Sequence, residues 1–227
     1  MFNFITTVGG PYNQEYANKS VRMLRRNCSI PFIPYCVTDY VEGFDEEIRI
    51  ISPAKKVRGW WNKMLTLSDK MPSGWILVMD VDLIINGDIT YVIEYMMQAN
   101  NRFSAYSDAI HWENCKLSSS FMFFKSGELR DVYEKFIREY ENIIDFKGGD
   151  QGWLNTQITN VTYVDELFPN LKRSLKFDLA SRDDLSNRKL VLPADIETSI
   201  GIIDCHGNPK PQQLFELGWI PALRNWY

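Results

Sequence analysis

The chain predicts an α/β fold: a mainly parallel sheet flanked by helices, in a single compact domain of 227 residues. Three observations carry this. Strand-like apolar runs alternate with helix-like periodic ones, the order that produces parallel pairing through crossover helices. The densest run, Trp75-Ile76-Leu77-Val78-Met79-Asp80-Val81-Asp82-Leu83-Ile84-Ile85, is apolar at odd and even positions alike, as in a strand covered on both faces. A chain that is 45% hydrophobic and 14% aromatic has enough material for one sizeable core and is not disordered.

The elements follow in order. Residues 2–8 read as a strand, 12–28 as a helix and 32–38 as a second strand, an opening βαβ unit. Residues 58–70 read as a helix leading into the strand that carries Asp80. Leu129, Val132, Tyr133, Phe136, Ile137, Tyr140, Ile143 and Ile144 recur at helical steps and predict an amphipathic helix. Residues 158–164 and 200–203 are further strands, and 165–193 is irregular and charge-rich, suited to an insertion or a loop over a site. No repeat or linker divides the chain.

Composition narrows the function. With 25 basic and 29 acidic residues the net charge is −4, which argues against a nucleic-acid-binding role. The first basic residue is Lys19 and the opening reads as a strand, so no secretory signal is expected. No apolar run approaches the roughly 18–20 residues of a transmembrane span. Cys28, Cys36, Cys115 and Cys205 show no C-x-x-C pairing and read as reduced, mostly buried thiols of a cytoplasmic protein.

Against this background Asp80 and Asp82 stand out. Two carboxylates in an apolar run cost several kcal/mol unless a positive group neutralises them. Residues i and i+2 of a strand project to one side, so the pair can converge on one cation at the strand's carboxyl end, where α/β folds bind ligands. Oxygen ligands suit Mg²⁺, Mn²⁺ or Ca²⁺. Two solvated aspartates in a tight turn would leave the same sequence trace. His206, one of two histidines, follows a short apolar strand and precedes Gly207, a turn and Lys210. Its imidazole would complete an Asp/Asp/His site and shift the preference toward Mn²⁺.

Together, Asp80-x-Asp82, the later His206 with Lys210-Pro211, and Gly148-Gly149-Asp150-Gln151-Gly152-Trp153-Leu154-Asn155 resemble the GT-A glycosyltransferases of the glycogenin and family 8 galactosyltransferase group. The last segment is close to that group's G-G-D-Q-G-I-L-N. The opening Thr6-Thr7-x-x-x-x-Tyr12 is similar to its first strand and turn, so the matches run in the family's order from residue 6 to 211. The resemblance implies the GT-A fold and transfer of a hexose from a nucleotide diphosphate sugar, most readily a UDP-sugar, to a saccharide or other hydroxyl acceptor, with retention. It implies Asp80, Asp82 and His206 as ligands of Mn²⁺, or alternatively Mg²⁺. Lys210 would meet the diphosphate, Tyr12 the base, and Lys63 the donor phosphate or sugar. Asp150 and Gln151 would stand beside the anomeric carbon, and Asp108 would bind sugar hydroxyls. Thr7, Val8, Val81, Ser119 and Gly207 complete the implied donor contacts.

The chain departs from the family at three points. Ser118-Ser119-Ser120 replaces an Asn-Ser-Gly strand, so sugar choice could differ. The step from His206 to Lys210 is four positions rather than the family's six, and the tryptophan of K-P-W is missing. No tyrosine can be singled out for self-glycosylation. Gly149 or Asp150 could equally serve as a helix N-cap. A sugar-nucleotide nucleotidyltransferase is the runner-up, though Val8-Gly9-Gly10-Pro11-Tyr12 lacks the basic residue its phosphate loop would need. An inactive nucleotide-sugar binding module is the non-enzymatic alternative.

Overall fold

The computed structural model describes residues 1–53, 57–107, 115–179, 200–216 and 226. β1 (Phe2–Thr7), α1 (Gln14–Asn27) and β2 (Phe32–Val37) form the expected βαβ unit, followed by the short edge strand β3 (Arg49–Ile51). α1 forms because Ala17, Val21 and Leu24 fall at steps of four and three and bury one face against the sheet. β4 (Trp75–Met79) and β5 (Leu83–Ile85) come next, then α2 (Thr90–Ala99), β6 (Phe103–Ser107) and β7 (Leu117–Lys125). α3 (Arg130–Ile143) is the predicted amphipathic helix; Val132, Phe136, Tyr140 and Ile143 are its buried stripe. α4 (Gly149–Gln157), β8 (Thr162–Tyr163), α5 (Val164–Leu167), β9 (Lys172–Ser174), β10 (Ile202–Asp204) and α6 (Pro211–Glu216) complete the order.

The main sheet runs β3-β2-β1-β4-β7-β6-β8. β1 pairs parallel with β2 and β4, β2 with β3, and β6 with β8, while β7 lies antiparallel between β4 and β6. Both faces are covered, as the apolar run requires. Leu77 and Met79 join Phe4 and Phe123 in a core beneath α1 and α2. Ile76 and Val78 join Ile5 and Met122 in a second core, closed by α3 and α4. The result is one α/β domain. Among the described residues no helix is long and apolar enough to cross a membrane.

Three expectations are corrected. The run 75–85 is two strands, not one. Asp80 N–H donates the last ladder bond to Ser120 O (2.8 Å), and Leu83 N–H donates to Asp80 O (3.2 Å), closing a turn. β5 then leaves for a small second sheet, β5-β10-β9. A ladder covered on both sides has no place for carboxylates, whereas a turn lets them reach polar partners. Second, the helix expected at 58–70 is a 3₁₀ helix, Gly59–Leu67. Thr66 Oγ1 donates to Lys63 O (2.7 Å) and Ser68 N–H to Leu65 O, the tighter i to i+3 spacing. Third, the strand expected at 158–164 shrinks to Thr162–Tyr163, because Ile158 N–H still caps α4 on Leu154 O.

Candidate active site

The carboxyl ends of β1, β4 and β10, the 3₁₀ helix and the start of α4 open onto one cavity of about 620 Å³. Thr7 reaches it from the end of β1, Val8 and Tyr12 from the loop that follows, and Asp80, Val81 and Asp82 from the turn after β4. Ser118, Ser119 and Ser120 line it from β7, Asp150 and Gln151 from α4, and Asp204 and His206 from β10. Lys63 and Trp60 enter from the 3₁₀ helix.

Lys63 organises the floor. Its ammonium is buried and lies 2.6 Å from Asp80 Oδ1 and 3.3 Å from Asp150 Oδ2, and it donates to Ser119 Oγ at 3.2 Å. Burial alone would lower its pKa, but the carboxylates of Asp150 and Asp80 override that and hold it above the ordinary lysine value. The Asp80 carboxyl is raised as well, but here burial leads, and Asp82 and Asp150 add to the rise against the pull of Lys63. Ser119 Oγ also donates to Asp150 Oδ2 (2.9 Å), and Ser119 N–H to Gln151 Oε1 (3.3 Å). Asp150 is thus tied across to β7 and the 3₁₀ helix. It is not the cap of α4: Gly148 holds that position in a left-handed conformation, with no side-chain cap bond.

Asp82 faces a different set. Tyr12 OH donates to its Oδ2 at 2.6 Å, Lys210 Nζ stands 3.0 Å away, and Lys210 also contacts the Tyr12 hydroxyl. Burial and the adjacent Asp82 push the Tyr12 phenol well above its ordinary value, so it remains a donor. Asp80 and Asp82 thus both face the cavity, but from a turn rather than from a strand, and each is paired with its own lysine.

His206 Nδ1 lies 3.2 Å from Asp204 Oδ1, and Phe177 stacks on its ring at 5.5 Å. Asp204 also pairs with Lys172 (3.3 Å). Burial would raise the Asp204 carboxyl, but the bonds from His206 and the Lys172 charge bring it down to about 2. Gly207 follows with φ +74, the left-handed conformation that glycine adopts without strain; the atom nearest a Cβ there is the flexible end of Lys176, which could move aside. Among the described residues no three His, Cys, Asp or Glu side chains are gathered around one point as an ion would need. Asp108 and His111 lie outside the described residues.

Two participants escape the sequence reading, Asp204 and Lys172, which form the buried pair behind His206. Of the tryptophans Trp60, Trp61 and Trp153, Trp60 lines the cavity while the other two are in the core. A signal existed for Asp204, since it stands six residues before Lys210, the step the resemblance associates with histidine.

No protein-family model matches the chain, and no curated protein matches it in sequence. Solved structures do resemble it. The glycosyltransferase GlyE of Streptococcus pneumoniae superposes with TM-score 0.66 at 11% identity, over 100% of this chain and 63% of GlyE's. The galactosyltransferase LgtC, in complex with donor and acceptor sugar analogues, superposes with TM-score 0.63 at 12% identity over 99% of this chain and 94% of its own. At that identity the likeness establishes architecture alone. The chain has the GT-A glycosyltransferase fold, in the form seen in these two family 8-type enzymes.

Proposed function

We propose that this chain is a glycosyltransferase that moves a hexose from a nucleotide diphosphate sugar, UDP-hexose first among them, to a hydroxyl acceptor with retention. The observation that carries the reading is the meeting of Asp80, Asp82, Asp150, Gln151, Lys63 and His206 in one cavity of a GT-A fold. The donor set suits a divalent cation: two carboxylates, and a histidine whose Nδ1 is anchored on a carboxylate, the arrangement that orients an imidazole ligand. Asp80, Asp82 and His206 would hold Mn²⁺, with Mg²⁺ as the alternative. When bound, such an ion offsets the charge on the leaving diphosphate.

The chain's own groups do the rest. Lys210, paired with Asp82 at the cavity's edge, would meet diphosphate oxygens, and Thr7, Val8, Tyr12 and Val81 would form the wall against the nucleotide. Gly207 keeps the loop ahead of Lys210 tight. Asp150, fixed by Ser119 and Lys63, presents a negative charge where a sugar gains oxocarbenium character, and Gln151 supplies an amide beside it. The buried, unbridged thiols of Cys28, Cys36 and Cys205 agree with a cytoplasmic, reducing setting. A donor screen that reads nucleotide diphosphate release with Mn²⁺ tests the proposal. Release from a UDP-hexose is expected, and no release from any nucleotide sugar would refute it.

A further inference from the structure

Trp60 is an anomaly among the described tryptophans. Its sequence neighbour Trp61 is 2% exposed and Trp153 1%, whereas Trp60 is 62% exposed and lines the cavity. Leaving so large an apolar ring in water is unfavourable by the burial it forgoes. The ring nonetheless has a backbone neighbour. Gly149, at φ +60, lies so close that a Cβ there would come within 2.8 Å of Trp60 Nε1, so the indole edge rests on bare backbone at the start of α4. Gly149 directly precedes Asp150. The indole therefore belongs to the Asp150 cluster, not to the Tyr12–Lys210–Asp82 cluster that suits a diphosphate.

We infer that Trp60 is the platform on which the acceptor stacks, and that the acceptor is a neutral saccharide. The inference rests on the glycosyltransferase reading and names the substrate class that reading leaves open. A pyranose has an apolar C–H face and a rim of hydroxyls. An exposed indole covers the first, and a floor of Asp150, Gln151 and Ser119 takes the second. A lipid acceptor would find that carboxylate floor unfavourable, and an anionic one would meet a net negative charge there, because Asp80 and Asp150 share the one ammonium of Lys63.

The test uses the whole chain. In steady-state transfer to lactose, cellobiose and chitobiose, Trp60→Ala should raise the acceptor KM roughly tenfold for whichever disaccharide is used. Trp60→Phe, which keeps a ring, should recover most of it, and donor KM should move less than about twofold. A parallel rise in donor KM, no change in acceptor KM, or transfer only to lipid or peptide hydroxyls would overturn the proposal. A second reading needs no catalysis. The Trp60 indole N–H signal in an NMR spectrum, identified by its loss in Trp60→Phe, should shift when the three disaccharides are titrated in with UDP and Mn²⁺ present. A signal unmoved by all three would overturn the saccharide platform. If that signal moves while every nucleotide sugar goes unused, the transferase reading fails and the saccharide site stands.

Discussion

Replacing Lys63 by methionine tests whether the floor of the cavity is an electrostatic unit or only a donor contact. The substitution keeps the stem, which is packed at 5% exposure, and deletes the charge between Asp80 at 2.6 Å and Asp150 at 3.3 Å. Breaking a buried pair from one side costs about 3–5 kcal/mol, because the other charge is left uncompensated. Asp80 keeps 31% of its side chain open and can rehydrate in part, so the lower end applies, about 3 kcal/mol. For a chain of this size that lowers Tm by roughly 6–12 °C.

The pH dependence has a definite sign. Lys63 is the group that opposes the rise of the Asp80 carboxyl, so without it that carboxyl rises further above its unfolded value. A group raised in the folded state favours folding below its unfolded pKa and loses that contribution as pH climbs through the folded one. The variant's deficit is therefore largest near pH 7 and narrows as pH falls toward about 4. Circular dichroism melts of the metal-free protein at both pH values measure it. A Tm within about 2 °C of wild type at pH 7 would refute the reasoning and leave Lys63 as a residue that acts only on the donor.

Four further outcomes follow from the proposed chemistry. Asp150→Asn should lower kcat at least a hundredfold on the order-of-magnitude scale of lost transition-state electrostatics, with donor KM little changed; steady-state kinetics that find near-normal turnover remove Asp150 from the mechanism. Lys210→Ala should weaken donor binding together with turnover, since a phosphate contact exists before the transition state; calorimetry with UDP reads the first and a release assay the second. His206→Ala should weaken Mn²⁺ binding, and Asp204→Asn should do so about tenfold by loosening the ring behind it; equal affinity for the ion in both variants and wild type would exclude the histidine as a ligand. Stripping the ion with EDTA should abolish UDP binding, and calorimetry that returns the same affinity with and without Mn²⁺ would sink the metal assignment.

How far the sequence is legible depends on whether a residue conflicts with its own neighbours. Asp80 and Asp82 are conspicuous because carboxylates contradict the run Trp75–Met79 around them, and that conflict locates the cavity before any coordinate does. The opening βαβ unit and α3 are legible for the opposite reason: period and burial agree over six or more residues. The turn at Asp80 is not legible, because β5 is as apolar as β4 and differs only in which sheet it joins. Pairing with β10, more than a hundred residues away, decides that, and no local pattern encodes it.

The two tryptophans of the 3₁₀ helix make the same point at the scale of one peptide bond. Trp60 and Trp61 are chemically identical, and hydrophobicity alone does not tell which of them enters the core. What separates them is the angle from one residue to the next, about 120° in a 3₁₀ helix, which swings adjacent side chains to different faces. Trp61 stacks on Phe136 at 5.7 Å, while Trp60 lies against the backbone of Gly149 and lines the cavity. Asp204 is hidden differently. It sits beside a histidine, the residue type that draws attention as a ligand, and only the six-residue step to Lys210 marks its place. Lys172, its buried counter-ion, carries no mark at all. A pair that neutralises itself leaves no unbalanced charge in the sequence to notice, and for the same physical reason it is well suited to hold His206 in a fixed orientation.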